Sequence, residues 1–181
     1  MKGIVFNVLE DMVESSLGLE AWDEILSATA LSSGGSYTAS ATYDDEELLA
    51  IVGALSTKTG LPPERLVHDF GVHLLGAFAE RYPMFFADVT VKQFLQNVGG
   101  IIHDEIRKLH PGAGVPDIGY EDPAPDRLVM LYRSPRRMCT LAEGLIRGSS
   151  GHFGVGIELT HPRCLHRGDD HCRLEILFAE S

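Results

Sequence analysis

The stretch "NVGGIIHDE", residues 97–105, places a histidine one helical turn after two consecutive glycines. A side chain on a helix leans toward the N-terminus and lies over positions i−3 and i−4, which for His103 are Gly100 and Gly99. Each glycine in a helix interior costs up to about 1 kcal/mol relative to alanine. The pattern therefore predicts a flat, vacant surface beside an imidazole. A planar macrocycle whose iron is bound by His103 would fit there, although a lone histidine is also common as an ordinary core or surface residue.

The residues around this stretch predict a helical first half and a mixed second half. Apolar spacing indicates helices near residues 6–18, 19–31, 44–60, 62–82 and 90–110. Asp44 is expected to cap the third helix in a capping box with Glu47, and Thr90 or Asp88 to cap the fifth. Further along, alternating apolar residues predict strands over 117–122, 127–134, 155–164 and 171–178, with a helix over 134–151 capped by Ser134. The predicted fold class is α+β, with a roughly four-stranded antiparallel sheet and one crossing helix.

Composition limits the classes of function. The 181 residues include 15 basic and 26 acidic ones, giving a formal charge of −11, which argues against binding nucleic acid or anionic membranes. No apolar run is long enough to span a bilayer, and acidic residues by position 10 exclude a signal peptide, so we expect a cytoplasmic protein. No nucleophile–base pair, phosphate loop or open metal site is apparent, which predicts that the chain is not an enzyme.

Three cysteines and three histidines indicate a metal site near the C-terminus. Cys164 and Cys172 lie near facing ends of one predicted hairpin, and Cys139 lies in the helix before it. Three thiolates and one imidazole form a closed tetrahedral set that suits structural Zn²⁺. His161, His166 and His171 compete for the fourth position. His171 is expected to point away from Cys172 on a regular strand, whereas spacing does not exclude the other two.

A third motif, "LYRSPRRM", brings together Tyr132, Ser134 and Arg136. Alternate residues of an extended segment emerge on one face. Two hydroxyls and a guanidinium in a row can hold paired carboxylates, with arginine offering a bidentate fork. The same residues would also suit a helix cap and a solvated first turn.

Together these motifs resemble the haem nitric oxide/oxygen binding (H-NOX) domains, related to the haem domain of soluble guanylate cyclase. The likeness covers the whole chain and includes "MKGIVFN" and "FLQNVGGIIHDEIRKLHPGAGVP". It implies haem b with His103 as axial ligand, propionates bound by the Y-x-S-x-R motif, and Pro116 pressing on the porphyrin. It also implies a Zn²⁺ site of one bacterial subgroup, formed by Cys139, His161, Cys164 and Cys172.

The resemblance further implies a single H-NOX domain over residues 1–181, with a helical subdomain over about 1–60 and a haem-ligating, zinc-containing subdomain over about 61–181. The haem would lie between the two. The implied pocket contacts are Leu74, Phe78, Val98, Pro116, Leu141 and Leu145. Oxygen-binding members carry a distal tyrosine where Leu141 aligns here, and Leu74 and Leu9 replace supporting polar residues. An apolar pocket predicts binding of nitric oxide and carbon monoxide, but no stable oxygen complex.

The leading hypothesis is a nitric oxide sensor in which the iron–His103 bond breaks and the resulting shift regulates a separate partner, a histidine kinase or a cyclic-di-GMP enzyme. The alternative is a zinc–thiolate redox sensor acting through Cys139, Cys164 and Cys172, with or without haem.

Overall fold

The computed structural model describes residues 1–109 and 114–179. In this part of the chain the helices are α1 Gly3–Leu17, α2 Leu19–Ser27, α3 Asp45–Thr59, α4 Pro63–Arg81, α5 Val91–Asn97, α6 His103–Leu109 and α7 Cys139–Phe153. The strands are β1 Asp117–Ala124, β2 Arg127–Arg133, β3 Ile157–Arg163 and β4 Cys172–Phe178. None of the described helices has the length and apolar character needed to cross a membrane.

The four strands form one antiparallel sheet in the order β1-β2-β4-β3. β2 and β4 are central, and inward-facing residues of both strands, such as Leu128 and Leu174, are fully buried. The predicted α+β class, with helices first and a four-stranded antiparallel sheet crossed by a helix, is confirmed.

The interior consists of two apolar cores that meet along α4. The first core is built from α1 to α4 around Phe6, Ile51 and Phe70. The second core lies between the sheet, α5 and α7. It includes Leu75 of α4, whereas the adjacent Leu74 belongs to the first core. α4 therefore contributes to both halves of the molecule.

Glycines allow α4 and α7 to pack backbone against backbone. A Cβ atom on Gly144 would lie 2.1 Å from the carbonyl oxygen of His68, and one on Gly71 would lie 2.5 Å from that of Leu141. Real Cβ atoms do not approach so closely, so any larger residue would push the two helices apart. This contact joins the helical half to the half that contains the sheet.

Several boundaries differ from the sequence-based prediction, and two of them lie next to the candidate sites. α7 begins at Cys139 rather than at Ser134, because residues 134–137 form a turn in which the Ser134 hydroxyl accepts from the Arg136 amide and Arg137 has φ +52°. Ser134 therefore caps this turn and not a helix. The predicted helix over 90–110 is interrupted by a π-helical turn, Val98–Ile102, and its end at His110 lies outside the described residues.

The capping predictions are partly confirmed. Asp44 does cap α3, accepting a hydrogen bond from the Glu46 amide. The prediction that Glu47 completes a capping box with Asp44 is wrong, because the Glu47 side chain is buried against the loop that follows α2. A complete capping box forms instead at α5, between Thr90 and Gln93.

The Glu47 carboxylate is only 6% exposed and organises this loop. It accepts hydrogen bonds from the Ser32 and Ser33 hydroxyls, the Ser33 amide and the Tyr37 hydroxyl. Burial alone would raise the pKa of Glu47, but these donors outweigh it and lower the pKa to about 2. The carboxylate thus replaces water as the acceptor for four groups.

We predict that Glu47→Gln lowers the free energy of unfolding at neutral pH by about 1 to 3 kcal/mol. The amide replaces one charged acceptor oxygen with an NH2 group, so some of the buried donors lose their acceptor. Since the folded pKa is depressed, this contribution is complete above pH 4.5 and is lost as the pH falls toward 2. Denaturant unfolding of both proteins at several pH values measures it. The exposed neighbour Glu46→Gln is the matched control, and equal loss in both variants would contradict the prediction.

Candidate functional site

His103 is the first residue of α6, directly after the π-helical turn. Its amide donates to the carbonyl of Val98, five residues earlier, which is the hydrogen bond that defines such a turn. Single π turns within α-helices are frequent at functional sites because they change the direction of the side chains that follow. The turn therefore sets where the His103 ring lies.

The two glycines before His103 have different surroundings. A Cβ atom on Gly99 would lie 2.9 Å from both the Ile118 carbonyl oxygen and the Tyr120 hydroxyl, so this glycine packs against β1. A Cβ atom on Gly100 would meet no atom of the described residues within 4 Å. The prediction that both glycines line a vacant surface is therefore wrong for Gly99, while Gly100 does have open space beside it.

The His103 ring is neutral and has an unused nitrogen. Burial, followed by the charge of Arg107, lowers the pKa of His103 to about 4. The nearby Pro116 carbonyl opposes this shift, but Nδ1 of His103 is buried without a hydrogen bond in the described residues. Buried polar atoms are normally paired, and metal coordination requires a neutral imidazole. The ring therefore has the properties of a metal ligand, as the fit of a haem iron requires.

The Y-x-S-x-R residues run from the end of the central strand β2 into the turn that follows it. Tyr132 and Ser134 are buried, at 5% and 9% exposure, and burial raises the pKa of the Tyr132 phenol. Nε of Arg136 lies 2.5 Å from the Asp45 carboxylate at the start of α3, and its guanidinium packs over Gly114. Arg136 thus spans the two halves of the molecule. The propionate-binding role of the motif stays a prediction.

Most of the predicted pocket residues belong to one apolar cluster. Leu9 and Leu74 are almost fully buried in the first core, and the partly buried side chains packed against it include Phe78, Leu141 and Leu145. Val98 packs in the second core. Two tyrosines also contact the first core, but the Tyr37 hydroxyl binds Glu47 and the Tyr43 hydroxyl binds the Thr38 amide. Both hydroxyls therefore already have partners away from the leucines of this cluster.

The three cysteines and His161 form a cluster whose ligand atoms all lie within 4.8 Å of one another. The Cys164 sulfur is 3.7 Å from that of Cys139 and 4.0 Å from that of Cys172. Tetrahedral metal–sulfur bonds of about 2.3 Å place sulfurs about 3.8 Å apart. Burial and the neighbouring thiols raise the pKa of Cys139, because they disfavour its thiolate form. A bound cation would reverse this and stabilise the thiolates. The arrangement could hold one metal ion.

His161 supplies the fourth ligand of this cluster. Its Nε2 atom is buried without a hydrogen-bond partner among the described residues, while Nδ1 lies 2.5 Å from the Glu143 carboxylate. A carboxylate on the other ring nitrogen is the usual way to orient a ligating histidine. The competing His166 instead contacts the Arg137 carbonyl, and His171 contacts Asp170.

Sequence reasoning missed three residues of these sites. Glu143 could have been found, since it follows Cys139 by four positions on the same helix and so shares its face. Asp45 and Tyr120 carry no local signal, because their partners are distant in sequence.

An imidazole that burial keeps neutral, with a buried and unpaired nitrogen, suits a protein that holds a metal-containing prosthetic group. Residues 2–161 match the Haem-NO-binding family, and the chain belongs to this family. Domains of the family are sensors rather than enzymes, so the prediction that this chain is not an enzyme is confirmed.

Solved structures of H-NOX proteins are similar over the entire fold. The S. oneidensis protein in the Fe(II)NO state is 33% identical with a TM-score of 0.93, covering 99% of this chain and 100% of that one. The Shewanella oneidensis domain in the Fe(II)CO state is 33% identical with a TM-score of 0.92 and covers both chains fully at 100%. The unliganded Fe(II) protein from K. algicida is 29% identical with a TM-score of 0.91, covering 100% and 98%.

We predict one tightly bound metal ion per chain at the cysteine–histidine cluster, measured by elemental analysis. Cys172→Ala should lose the ion and unfold at a lower temperature, because binding and folding are linked. Glu143→Gln should keep the ion but bind it about 10- to 100-fold more weakly.

Two controls separate metal binding from packing. Glu158→Gln removes the same charge from an exposed position on β3 and should leave metal affinity unchanged. A chelator should lower the melting temperature of the unmodified protein but not that of Cys172→Ala. If Cys172→Ala retains both its metal and its melting temperature, the cluster is not a metal site.

Proposed function

We propose that this protein is a haem-based nitric oxide sensor that regulates a separate signalling partner in the cytoplasm. The observation that carries the proposal is the neutral His103 ring, whose Nδ1 atom is buried without a hydrogen bond among the described residues. The Fe(II)NO and Fe(II)CO states of the S. oneidensis relatives support the choice of gas. A haem bound here would be ligated by His103 and would supply an iron that binds a diatomic gas.

The chain would hold this group between the helical subdomain of about 1–60 and the rest. His103 would ligate the iron, while Tyr132, Ser134 and Arg136 would bind the propionates. Pro116, which immediately precedes β1, would press on the ring. Arg136 already contacts Asp45 of α3, so a propionate at this guanidinium would sit at the junction of the two halves.

His103 is the residue that would turn gas binding into movement. The haem iron would hold His103 in the gas-free protein, and nitric oxide binding would release it. α6 would then be free to move, and the two halves could shift against each other about their α4–α7 contact. A ligand that binds one of two conformations more tightly shifts the population toward it. A histidine kinase or cyclic-di-GMP enzyme that contacts the α6 surface would read this shift.

The apolar cluster accounts for the proposed selectivity. Bound oxygen carries partial negative charge and needs a hydrogen-bond donor, whereas nitric oxide and carbon monoxide need little help. Leu74 and Leu141 offer no donor, and the hydroxyls of Tyr37 and Tyr43, which pack against this core, are engaged with Glu47 and Thr38. The pocket would therefore bind nitric oxide and carbon monoxide and reject oxygen.

We further propose that the metal of the cysteine–histidine cluster is structural Zn²⁺. All four positions of a tetrahedron are filled by protein ligands, which leaves none for a substrate. The redox alternative is disfavoured, because Cys139, Cys164 and Cys172 are only 2%, 7% and 0% exposed. Thiols that react with oxidants are accessible to solvent.

We predict that His103→Gly removes the axial ligand and that imidazole in the buffer restores it, as followed by the absorption spectrum of the ferrous protein. Without the tether to α6, this variant should reproduce the nitric-oxide-bound output on a partner kinase in the absence of gas. His73→Gly changes an exposed histidine of α4 and should alter neither readout. A colourless unmodified protein after expression with ample haem would refute the proposal.

Leu141→Tyr should supply the missing donor and produce an oxygen complex that persists for minutes in air, as judged by its absorption bands. Leu141→Phe adds the same ring without the hydroxyl and should form no such complex. A stable oxygen complex of the unmodified protein would contradict the apolar-pocket argument.

A further inference from the structure

The Tyr120 hydroxyl stands between two backbone groups that bond directly in an ordinary helix. In an uninterrupted α-helix the amide of residue 99 would donate to the carbonyl of residue 95. Here the Gly99 amide donates to the Tyr120 hydroxyl at 2.8 Å, and that hydroxyl donates to the Leu95 carbonyl, also at 2.8 Å. The side chain has entered the hydrogen-bond ladder and satisfies both groups.

This insertion lies at the start of the π-helical turn that ends at His103. A side chain that enters the ladder is one of the few recognised causes of a helix deformation. Four residues later the His103 amide is shared between the carbonyls of Val98 and Gly100 and does not pair with that of Gly99. The hydroxyl and the altered register of His103 therefore belong to one local distortion.

The position of the hydroxyl is fixed from the sheet side. Tyr120 lies on β1 and pairs with Met130 on β2, and its ring packs in the second core. Burial raises the pKa of Tyr120, so the phenol keeps the proton that it donates to Leu95. Gly99 is required for the approach, because a Cβ atom there would lie 2.9 Å from the hydroxyl oxygen.

We propose that Tyr120 is a positioning residue for His103: its hydroxyl holds the helix open in the π register and thereby sets the orientation of the imidazole. When the hydroxyl is absent, the Gly99 amide can bond directly to the Leu95 carbonyl. The helix then tightens, and His103 turns about the helix axis. Either register satisfies the Gly99 amide and the Leu95 carbonyl, so the choice between them depends on the hydroxyl. The proposal rests on the proposed role of His103 as the haem ligand.

Tyr120→Phe tests this directly, because it removes the hydroxyl and keeps the ring. The iron–histidine stretching band of the ferrous, gas-free protein, measured by resonance Raman spectroscopy, should shift by more than its uncertainty. The amide proton of Gly99 should change its chemical shift in the NMR spectrum as it exchanges a hydroxyl acceptor for a carbonyl. Gly99→Ala, which displaces the hydroxyl sterically, should move the same Raman band.

Tyr43→Phe is the matched control, since its hydroxyl also accepts from a backbone amide but lies in the helical half. It should leave the band unmoved, and an equal shift there would overturn the proposal by indicating general loosening. A band that is present in the unmodified protein and unmoved in Tyr120→Phe and Gly99→Ala overturns the positioning role alone. If the unmodified, haem-loaded protein lacks the band, His103 is not the ligand, and the proposed function fails with this one.

Discussion

The close backbone contact between α4 and α7 is the constraint on which the rest of the structure depends. Gly71 and Gly144 bring the two helices together so tightly that neither position has room for a methyl group. α4 carries residues of both cores, and α7 carries Cys139 of the cysteine–histidine cluster together with Leu141 and Leu145 of the apolar cluster. A change in spacing at this contact would therefore reach both candidate sites at once.

The order and type of the elements could be predicted because they depend on local patterns. Apolar spacing indicated the helices and strands, and Asp44 and Thr90 marked two helix starts correctly. The errors share a physical origin in tertiary contacts. Glu47 had the right spacing for a capping box but found better donors in a distant loop, and the helix before His103 is broken by a hydroxyl from β1.

The same reasoning explains what could be inferred about the sites. Ligand types and spacings were visible in the sequence, but the property that distinguishes a ligand from an ordinary histidine was not. His103 and His161 each keep one buried nitrogen without a hydrogen bond among the described residues, whereas His166 contacts the Arg137 carbonyl and His171 contacts Asp170. Whether a ring nitrogen remains unpaired depends on the tertiary contacts around it, and the apolar periodicity of the sequence does not reveal those contacts.

The irregular edges of the sheet have a consequence for the protein in a crowded solution. β1 and β3 are the outer strands, and each has a register shift that includes a proline, Pro123 in one and Pro162 in the other. Proline cannot donate to a neighbouring strand, and a bulge twists the edge out of line, so neither edge is a good template for another chain. On β3 the shift also includes His161. The distortion that accompanies a metal ligand thus also discourages fibre-like association between copies of this protein.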